Sequence, residues 1–437
     1  MRKTSVAVAA VFLLVTGVLV ASFIVAGFAV VDRRHVEDFA FLQRRVALLQ
    51  SENERLENAL REKRKTDGAA FNIRARAEIE QSVSATRQLR FLQPVDYAVL
   101  SHERIKQTIL EKLDEQFSET DFKNLVTGLA ALGFIEPNYP LKQKYIDLLG
   151  EQVAAFYDQH QHKLFMFEDA SLDNQQNRAI LAHELTHALQ DQNFGLGKLP
   201  LEIKNDDDRA FAASALIEGD ATLVMSQFVL QNASLRGLGE NVSQLVSQNM
   251  DEIAKAPRYL REMLLFPYLR GQEFCAVIQS RAGYDGLSKV YEHPPASSTQ
   301  ILHPEKYFAH EEPIWIDWPD TKALGQDPVA DNVVGEMGAR ILFTDCVDAD
   351  TAQRAASGWR GDRYLVFGDG EALVWKTLWN SEREAREFMR VAQQYLEARQ
   401  RAKKLLVKLE MTHPNEVVLI RASTNEWVDA LSAKFAR

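Results

Sequence analysis

The sequence predicts an α+β protein with a transmembrane helix, a coiled-coil stalk, a mainly helical domain and a smaller C-terminal α+β domain. Three observations support this fold class. A long uncharged segment lies near the start of the chain, and apolar residues then recur with heptad spacing. After about residue 325, long helical periodicity gives way to short alternating strands and helices.

The composition is that of a folded globular protein. The chain has 437 residues, of which 46% are hydrophobic and 26% are charged, so a disordered or collagen-like chain is excluded. The 51 Lys and Arg against 61 Asp and Glu give a formal net charge of −10. This charge argues against nucleic-acid partners, because these require a basic surface. Two cysteines, Cys275 and Cys346, are too few for a disulfide framework or an iron–sulfur site.

The first element is a hydrophobic segment. Residues 5–31 contain no charged side chain and are mostly Val, Ala, Leu, Ile and Phe. About 20 apolar residues cross a bilayer as a helix, so this segment predicts a single-pass membrane protein. A cleaved signal peptide is the alternative, but its apolar core normally spans about 7–15 residues. Because large domains translocate largely regardless of flanking charge, we expect the bulk of the protein to be extracytoplasmic.

Residues 33–65 follow as a predicted coiled-coil stalk. Two positions of the heptad carry apolar side chains and one asparagine: Phe39, Val46, Asn53 and Leu60 on one, and Leu42, Leu49 and Leu56 on the other. This is the a/d pattern of a coiled coil, and a polar residue at one a position is a device that fixes register. The pattern favours a homodimer, with a solvated helical spacer as the alternative.

Residues 70–315 predict the mainly helical domain, and residues 325–437 predict the C-terminal α+β domain. Within the first domain, two short apolar, aromatic-rich segments at 153–158 and 163–167 are joined by a polar link. This arrangement predicts a β-hairpin. Two predicted helices follow the hairpin, and they carry the residues with the strongest functional signal.

That signal is an H-E-x-x-H motif formed by His183, Glu184 and His187. Residues four apart lie on one face of a helix, about one turn from each other, so both imidazoles can reach the same ion. Glu184 is offset beside them, where it can act as a general base without filling a coordination position. The motif therefore predicts a zinc site, with two surface histidines on an ordinary amphipathic helix as the alternative.

A catalytic zinc ion takes three protein ligands and leaves one position open. Glu218 is the predicted third ligand, because it lies 31 residues after His187 within an apolar segment. Burying a carboxylate in such a segment costs free energy, unless the carboxylate is paired or bound to a cation. The rival acidic side chains are Asp191, Glu202 and the cluster Asp206, Asp207 and Asp208.

Two segments, HELTHALQDQ at 183–192 and ALIEGDA at 215–221, resemble the gluzincin zinc metallopeptidases. The resemblance covers roughly residues 150–230 and implies a zincin-like fold for the helical domain. The Pro-rich segment at 294–307 is similar to uncharacterised bacterial membrane-anchored relatives.

The resemblance implies that His183, His187 and Glu218 bind Zn²⁺ and that Glu184 is the catalytic base. The implied function is a membrane-anchored peptidase that cleaves peptide or protein substrates with a zinc-bound water. His303 is our first candidate for a catalytic donor to the oxyanion, with Tyr268 and Tyr307 as alternatives.

The resemblance also implies that residues 154–158 form an edge strand that binds the substrate. One departure concerns the support of a histidine ligand. Thermolysin-like enzymes carry an Asp four residues after the ligand Glu, but Thr222 stands there in this chain. Asp220, Asp191 or water would have to replace it.

Two other functions stay open from the sequence. One is a membrane coiled-coil scaffold whose zinc site is structural or vestigial. The other is a zinc hydrolase of a non-peptide bond, which a pocket too closed for an extended chain would favour.

Overall fold

The computed structural model describes residues 68–101, 117–150, 155–167, 170–232, 255–400 and 405–435, with scattered positions between 103 and 113. The N-terminal part contains α1 (Gly68–Arg87), β1 (Asp96–Leu100), α2 (Glu119–Leu132), α3 (Leu141–Gly150), β2 (Ala155–Asp158), β3 (Lys163–Phe167), α4 (Gln175–Phe194), α5 (Asp207–Asn232), α6 (Arg258–Val290), α7 (Ser298–Leu302) and α8 (Pro304–Phe308). The C-terminal part contains β4 (Ala330–Asn332), α9 (Gly335–Phe343), α10 (Ala349–Ala356), β5 (Trp359–Phe367), β6 (Ala372–Trp379), α11 (Glu382–Gln400), β7 (Leu406–His413), β8 (Glu416–Ala422) and α12 (Asn425–Phe435).

A small three-stranded sheet lies in the N-terminal part, with strand order β1-β3-β2. The strands β2 and β3 form the antiparallel hairpin that the sequence predicts, and Phe156 pairs with Phe165 in its register. The turn contains His162 in the left-handed region, with a φ of 51°. The strand β1 pairs in parallel with β3, so β2 lies at the opposite edge of the sheet.

The helices α4, α5 and α6 form the centre of the N-terminal part. On α5 every residue from Ala210 to Met225 is buried, which is the pattern of a helix enclosed by protein on all sides. The helices α5 and α6 approach each other closely at two glycines. A Cβ added to Gly219 would lie 2.1 Å from the Gly271 carbonyl carbon, and a Cβ added to Gly271 would lie 2.0 Å from the Ala215 oxygen. Only glycines permit this crossing.

The C-terminal part is built on a five-stranded antiparallel sheet with strand order β4-β5-β6-β8-β7. The helix α11 packs on one face, where Phe388 contacts Trp379 with ring centroids 4.5 Å apart. The helix α12 covers β8, and its Leu431 and Phe435 are buried against apolar strand residues. Alternate side chains of the sheet therefore bury two separate apolar faces.

The first turn of α5 is connected to the C-terminal part through a buried carboxylate. The Ser298 backbone N–H donates to the Asp208 Oδ2 atom at 3.0 Å. At Gly335, which begins α9 with a φ of 74°, a Cβ would lie 1.8 Å from the Asp208 Oδ1 atom. This position therefore requires glycine both for its backbone conformation and for the space that Asp208 occupies.

The prediction of fold class and of localisation needs correction. The structure is a mixed fold of helices and sheets, and none of its described helices has the length and apolar character needed to cross a bilayer. The transmembrane helix predicted at 5–31 and the stalk predicted at 33–65 lie outside the described residues. The single-pass membrane localisation that followed from these segments is not supported. Both Cys275 and Cys346 are free thiols.

Candidate metal centre

The helix α4 carries the H-E-x-x-H motif and is fixed at both ends. At its start, the Asn174 side chain accepts a hydrogen bond from the Gln176 backbone N–H, which satisfies one of the unpaired amides of the first turn. At its end, Gly195 adopts the left-handed conformation and its N–H bonds to the Asp191 carbonyl. Every residue from Ala179 to Asp191 is buried. The motif is therefore presented from a rigid, enclosed helix.

The structure brings His183, His187 and Glu218 together in one buried cluster. The Nε2 atoms of the two histidines lie 3.0 Å apart. The Glu218 Oε2 atom lies 3.2 Å from the His183 Nε2 atom and 3.5 Å from the His187 Nε2 atom. Ligands arranged as a tetrahedron about 2.0–2.1 Å from a zinc ion would be separated by about 3.3–3.4 Å. The three measured separations bracket that value.

The tautomer of His187 follows from its neighbour Gln190. The Gln190 Nε2 atom donates to the Ile217 carbonyl at 2.9 Å, which fixes the orientation of the amide. The Gln190 Oε1 atom therefore faces the His187 Nδ1 atom at 2.9 Å, and Nδ1 must carry the proton. In the neutral ring, the lone pair of Nε2 then points towards His183 and Glu218.

The charges of the cluster favour a bound cation. Burial opposes a charged His187, but the carboxylates of Glu218 and Glu184 and the bond to Gln190 raise its pKa to about 9. Burial would also raise the pKa of Glu218, yet the charges and hydrogen bonds of the two imidazoles lower it. The carboxylates therefore make this buried cluster attract positive charge, and a divalent cation and protons would compete for the same nitrogen and oxygen atoms.

Glu184 is fully buried, and its Oε2 atom accepts a hydrogen bond from the Tyr157 backbone N–H at 2.8 Å. In the register of the hairpin, Tyr157 pairs with Leu164, and its amide is directed away from β3 towards α4. The general base predicted from the sequence thus contacts the edge strand β2. This is also the strand that the resemblance assigns to substrate binding.

The structure places Tyr268, rather than His303, beside the cluster. The His303 Nε2 atom lies 2.7 Å from the Glu336 Oε1 atom on α9, so its ring is paired away from the metal ligands. Tyr268 is 2% exposed, and its ring centroid lies 6.3 Å from that of His183. Burial and the charges of Glu218 and Glu184 raise the pKa of Tyr268 well above its usual value. Its hydroxyl therefore stays protonated.

The rival acidic residues lie outside the cluster of ligands. Asp191 accepts from the Tyr157 hydroxyl at 2.8 Å and from the Leu196 backbone N–H at 3.1 Å, and its Oδ2 atom also lies 2.6 Å from the His162 Nδ1 atom. Asp208 lies at the junction with the C-terminal part, and Glu202 is exposed. Glu218 alone among these candidates belongs to the cluster within the described part of the chain.

Two residues that support the metal cluster were not predicted from the sequence. Gln190 lies three residues after His187, a spacing that places it on the neighbouring turn. Arg87 ends α1 and forms an ion pair with Asp220 in which both side chains are fully buried. The spacing could have indicated Gln190, but no local pattern connects Arg87 with residues more than 100 positions later.

Comparisons with known proteins add little about function. A family described as a domain of unknown function (DUF8575) matches residues 322–431, and no curated protein matches the chain. A crystal structure from Chloroflexus aurantiacus, described as a candidate hydrolase with a novel fold, is similar over 55% of this chain and 88% of its own, with 18% identity and a TM-score of 0.35. A likeness of this size is too slight to identify the activity or the family of the chain.

Proposed function

We propose that this protein is a zinc-dependent peptidase. The single observation that supports the proposal most strongly is the cluster of His183, His187 and Glu218, whose ligand atoms lie within 4.8 Å of one another. Glu184 next to this cluster completes the arrangement that the gluzincin resemblance implies.

The donor set fits a zinc ion better than an ion that prefers oxygen. Two imidazole nitrogens and one carboxylate oxygen are typical zinc ligands, whereas magnesium and calcium take mainly oxygen ligands. Among the described residues, the His183 Nδ1 and Glu218 Oε1 atoms are also buried without hydrogen-bond partners. Burying such unpaired polar atoms in an apolar interior costs free energy, unless a cation binds them.

A bound zinc ion would supply a Lewis acid for the scissile carbonyl and would lower the pKa of water to about 7. Side chains of the protein would transfer the proton and stabilise the oxyanion. Glu184 takes a proton from the attacking water and returns it to the leaving amine, which is typically worth about 10²–10⁴-fold in rate. Tyr268, with its protonated hydroxyl, donates a hydrogen bond to the developing oxyanion.

The edge strand β2 offers a way to hold an extended peptide. Main-chain hydrogen bonds to an edge strand align a substrate, while its side chains remain available for selection. The Tyr157 N–H is engaged by Glu184 in the structure. A substrate carbonyl that took over this N–H would release Glu184 for proton transfer.

The deciding experiment is Glu184→Gln in the purified full chain. We expect one zinc ion per chain in both proteins, measured by elemental analysis, and loss of peptide cleavage in the variant by at least about 100-fold. The amide keeps the size of the side chain but cannot accept a proton. Full cleavage activity in the variant would overturn the mechanism, and absence of bound zinc in the wild-type protein would overturn the proposal itself.

A second candidate is a zinc hydrolase of a small non-peptide bond. The burial of the site favours it, because His183 and Glu218 are 0% exposed and His187 is 3% exposed. A small substrate needs less opening than an extended chain. Turnover of small esters or amides with no cleavage of unfolded casein would favour this candidate over the peptidase.

A further inference from the structure

A chain of buried polar groups extends from the metal cluster to the end of α1. It runs from His187 through Gln190 and Asp220 to Arg87, and we call the last three residues the Gln190 relay. Gln190, Asp220 and Arg87 are each 0% exposed. Because buried polar groups are retained only when they are satisfied or functional, an assembly of this size next to the ligands needs an explanation.

Gln190 joins the two helices that carry the ligands. Its Oε1 atom accepts from the His187 Nδ1 atom at 2.9 Å, and its Nε2 atom donates to the carbonyl of Ile217 at 2.9 Å. Ile217 directly precedes the third ligand, Glu218. One amide therefore fixes the ring of a ligand on α4 relative to the backbone beside a ligand on α5.

Asp220 and Arg87 hold that amide in place. The Gln190 Nε2 atom lies 3.3 Å from the Asp220 Oδ2 atom, which also accepts from the Tyr291 hydroxyl at 2.8 Å. The Arg87 Nε atom lies 2.8 Å from the Asp220 Oδ1 atom. Arg87 also donates to the Ser288 Oγ atom at 3.1 Å, which connects the relay to α6. The ion pair is neutral as a unit, so His187 faces a neutral amide rather than a free carboxylate.

We propose that Gln190 is a positioning residue of the metal centre, and that Asp220 and Arg87 keep its amide in the orientation that directs the His187 Nε2 lone pair towards the ion. This inference rests on the proposed metal site. It also makes α1 a part of the metal centre.

The test compares two replacements of Gln190 in the full chain. Gln190→Met keeps the length of the side chain but removes its acceptor and donors, leaving the His187 Nδ1–H without a partner. We expect zinc affinity, measured by competition with a chelating dye, to fall about 10–100-fold. The visible spectrum of the cobalt-substituted protein should shift, because that spectrum reports the geometry of the ligands.

Gln190→Glu should rescue binding. Its carboxyl oxygen keeps an acceptor for the His187 Nδ1–H, as in the carboxylate–histidine pairs that support metal ligands, so we expect affinity within about threefold of wild type. Gln192→Met is the matched control. Gln192 lies on the same helix and also makes three hydrogen bonds, but all of them go to the backbone of residues 92 and 93. This control should leave both affinity and spectrum unchanged.

Wild-type affinity and an unchanged cobalt spectrum in Gln190→Met would overturn the inference. If circular dichroism shows that this variant does not fold, the double variant Arg87→Met/Asp220→Asn removes the support while keeping Gln190. It should then lose affinity by about 3–10-fold, and wild-type affinity would overturn the inference. Failure of the wild-type chain to bind one zinc or cobalt ion is a different result, because it overturns the proposed function as well.

Discussion

Replacement of Gly271 by alanine tests whether the close crossing of α5 and α6 sets the geometry of the metal centre. In a helix interior, alanine is normally more stable than glycine by about 0.5–1 kcal/mol. Here the added Cβ would lie 2.0 Å from the Ala215 oxygen, whereas ordinary contact begins at 3.4 Å. The difference, 3.4 − 2.0, means that the helices must separate locally by about 1.4 Å.

A separation of this size is large for a metal site. Glu218 lies on α5 between Ala215 and Gly219, the two residues that face Gly271, and Tyr268 lies one turn before Gly271 on α6. Functional side chains must be held within about 0.5 Å of their working positions. We therefore expect zinc affinity to fall more than about tenfold, because a few tenths of an ångström already matter for metal ligands. We also expect the metal-free protein to lose about 1–3 kcal/mol of unfolding free energy.

The assay combines urea unfolding of the metal-free protein, followed by circular dichroism, with a zinc competition titration. Gly197→Ala is the control, because a Cβ at that position would meet no atom of the described residues within 4 Å. Its free energy of unfolding should stay within about 0.5 kcal/mol of wild type. A Gly271→Ala protein that is more stable than wild type, as helix propensity alone would predict, would refute this reasoning. So would unchanged zinc affinity.

Two further predictions concern Tyr268 and Asp362. Tyr268→Phe should lower kcat of peptide cleavage about 10²–10³-fold with zinc still bound, because it removes one oxyanion donor, and an unchanged kcat would remove Tyr268 from the mechanism. Burial raises the pKa of Asp362 to about 6 from 3.8, so the folded state holds this proton more tightly than the unfolded state. The stability it contributes is complete below about pH 4 and is lost as the pH rises through about 6, by about 3 kcal/mol (2.2 × 1.36). Burial also raises the pKa values of Asp206, Asp207 and Asp208, which add to the decline in the wild-type protein. The decline measured in unfolding titrations of Asp362→Asn should therefore be smaller than in wild type by about 3 kcal/mol. Asp369→Asn, which changes an exposed side chain, should decline as wild type does, and an identical decline in all three proteins would contradict the assignment.

The spacing of the motif and the burial of Glu218 were predictable because both depend on local rules. Residues four apart on a helix meet on one face, so the approach of His183 to His187 follows from the sequence alone. An acidic residue inside an apolar segment indicates a buried carboxylate with a partner, and Glu218 fits that description. The β2–β3 hairpin was equally visible, because polar link residues separate two apolar segments.

The parts that the sequence did not reveal depend on long-range packing. The role predicted for His303 depended on where its Pro-rich loop folds, and Glu336 on α9 holds that imidazole instead. The strand β1 was missed because its pairing with β3 is parallel, and Tyr97 meets Leu164 across a gap of 67 positions. Such contacts leave no periodic signal near either partner.

The contacts of Asp208 with Ser298 and Gly335 limit which hybrid proteins can be made from this chain. These three residues come from separate stretches of sequence, yet Asp208 accepts a hydrogen bond from the Ser298 backbone and fills the space that a side chain at position 335 would need. A hybrid protein that exchanged everything after residue 325 for a counterpart lacking this glycine would push a side chain into the first turn of α5. Gene fusions of that kind should therefore succeed only when the new C-terminal part keeps glycine at position 335.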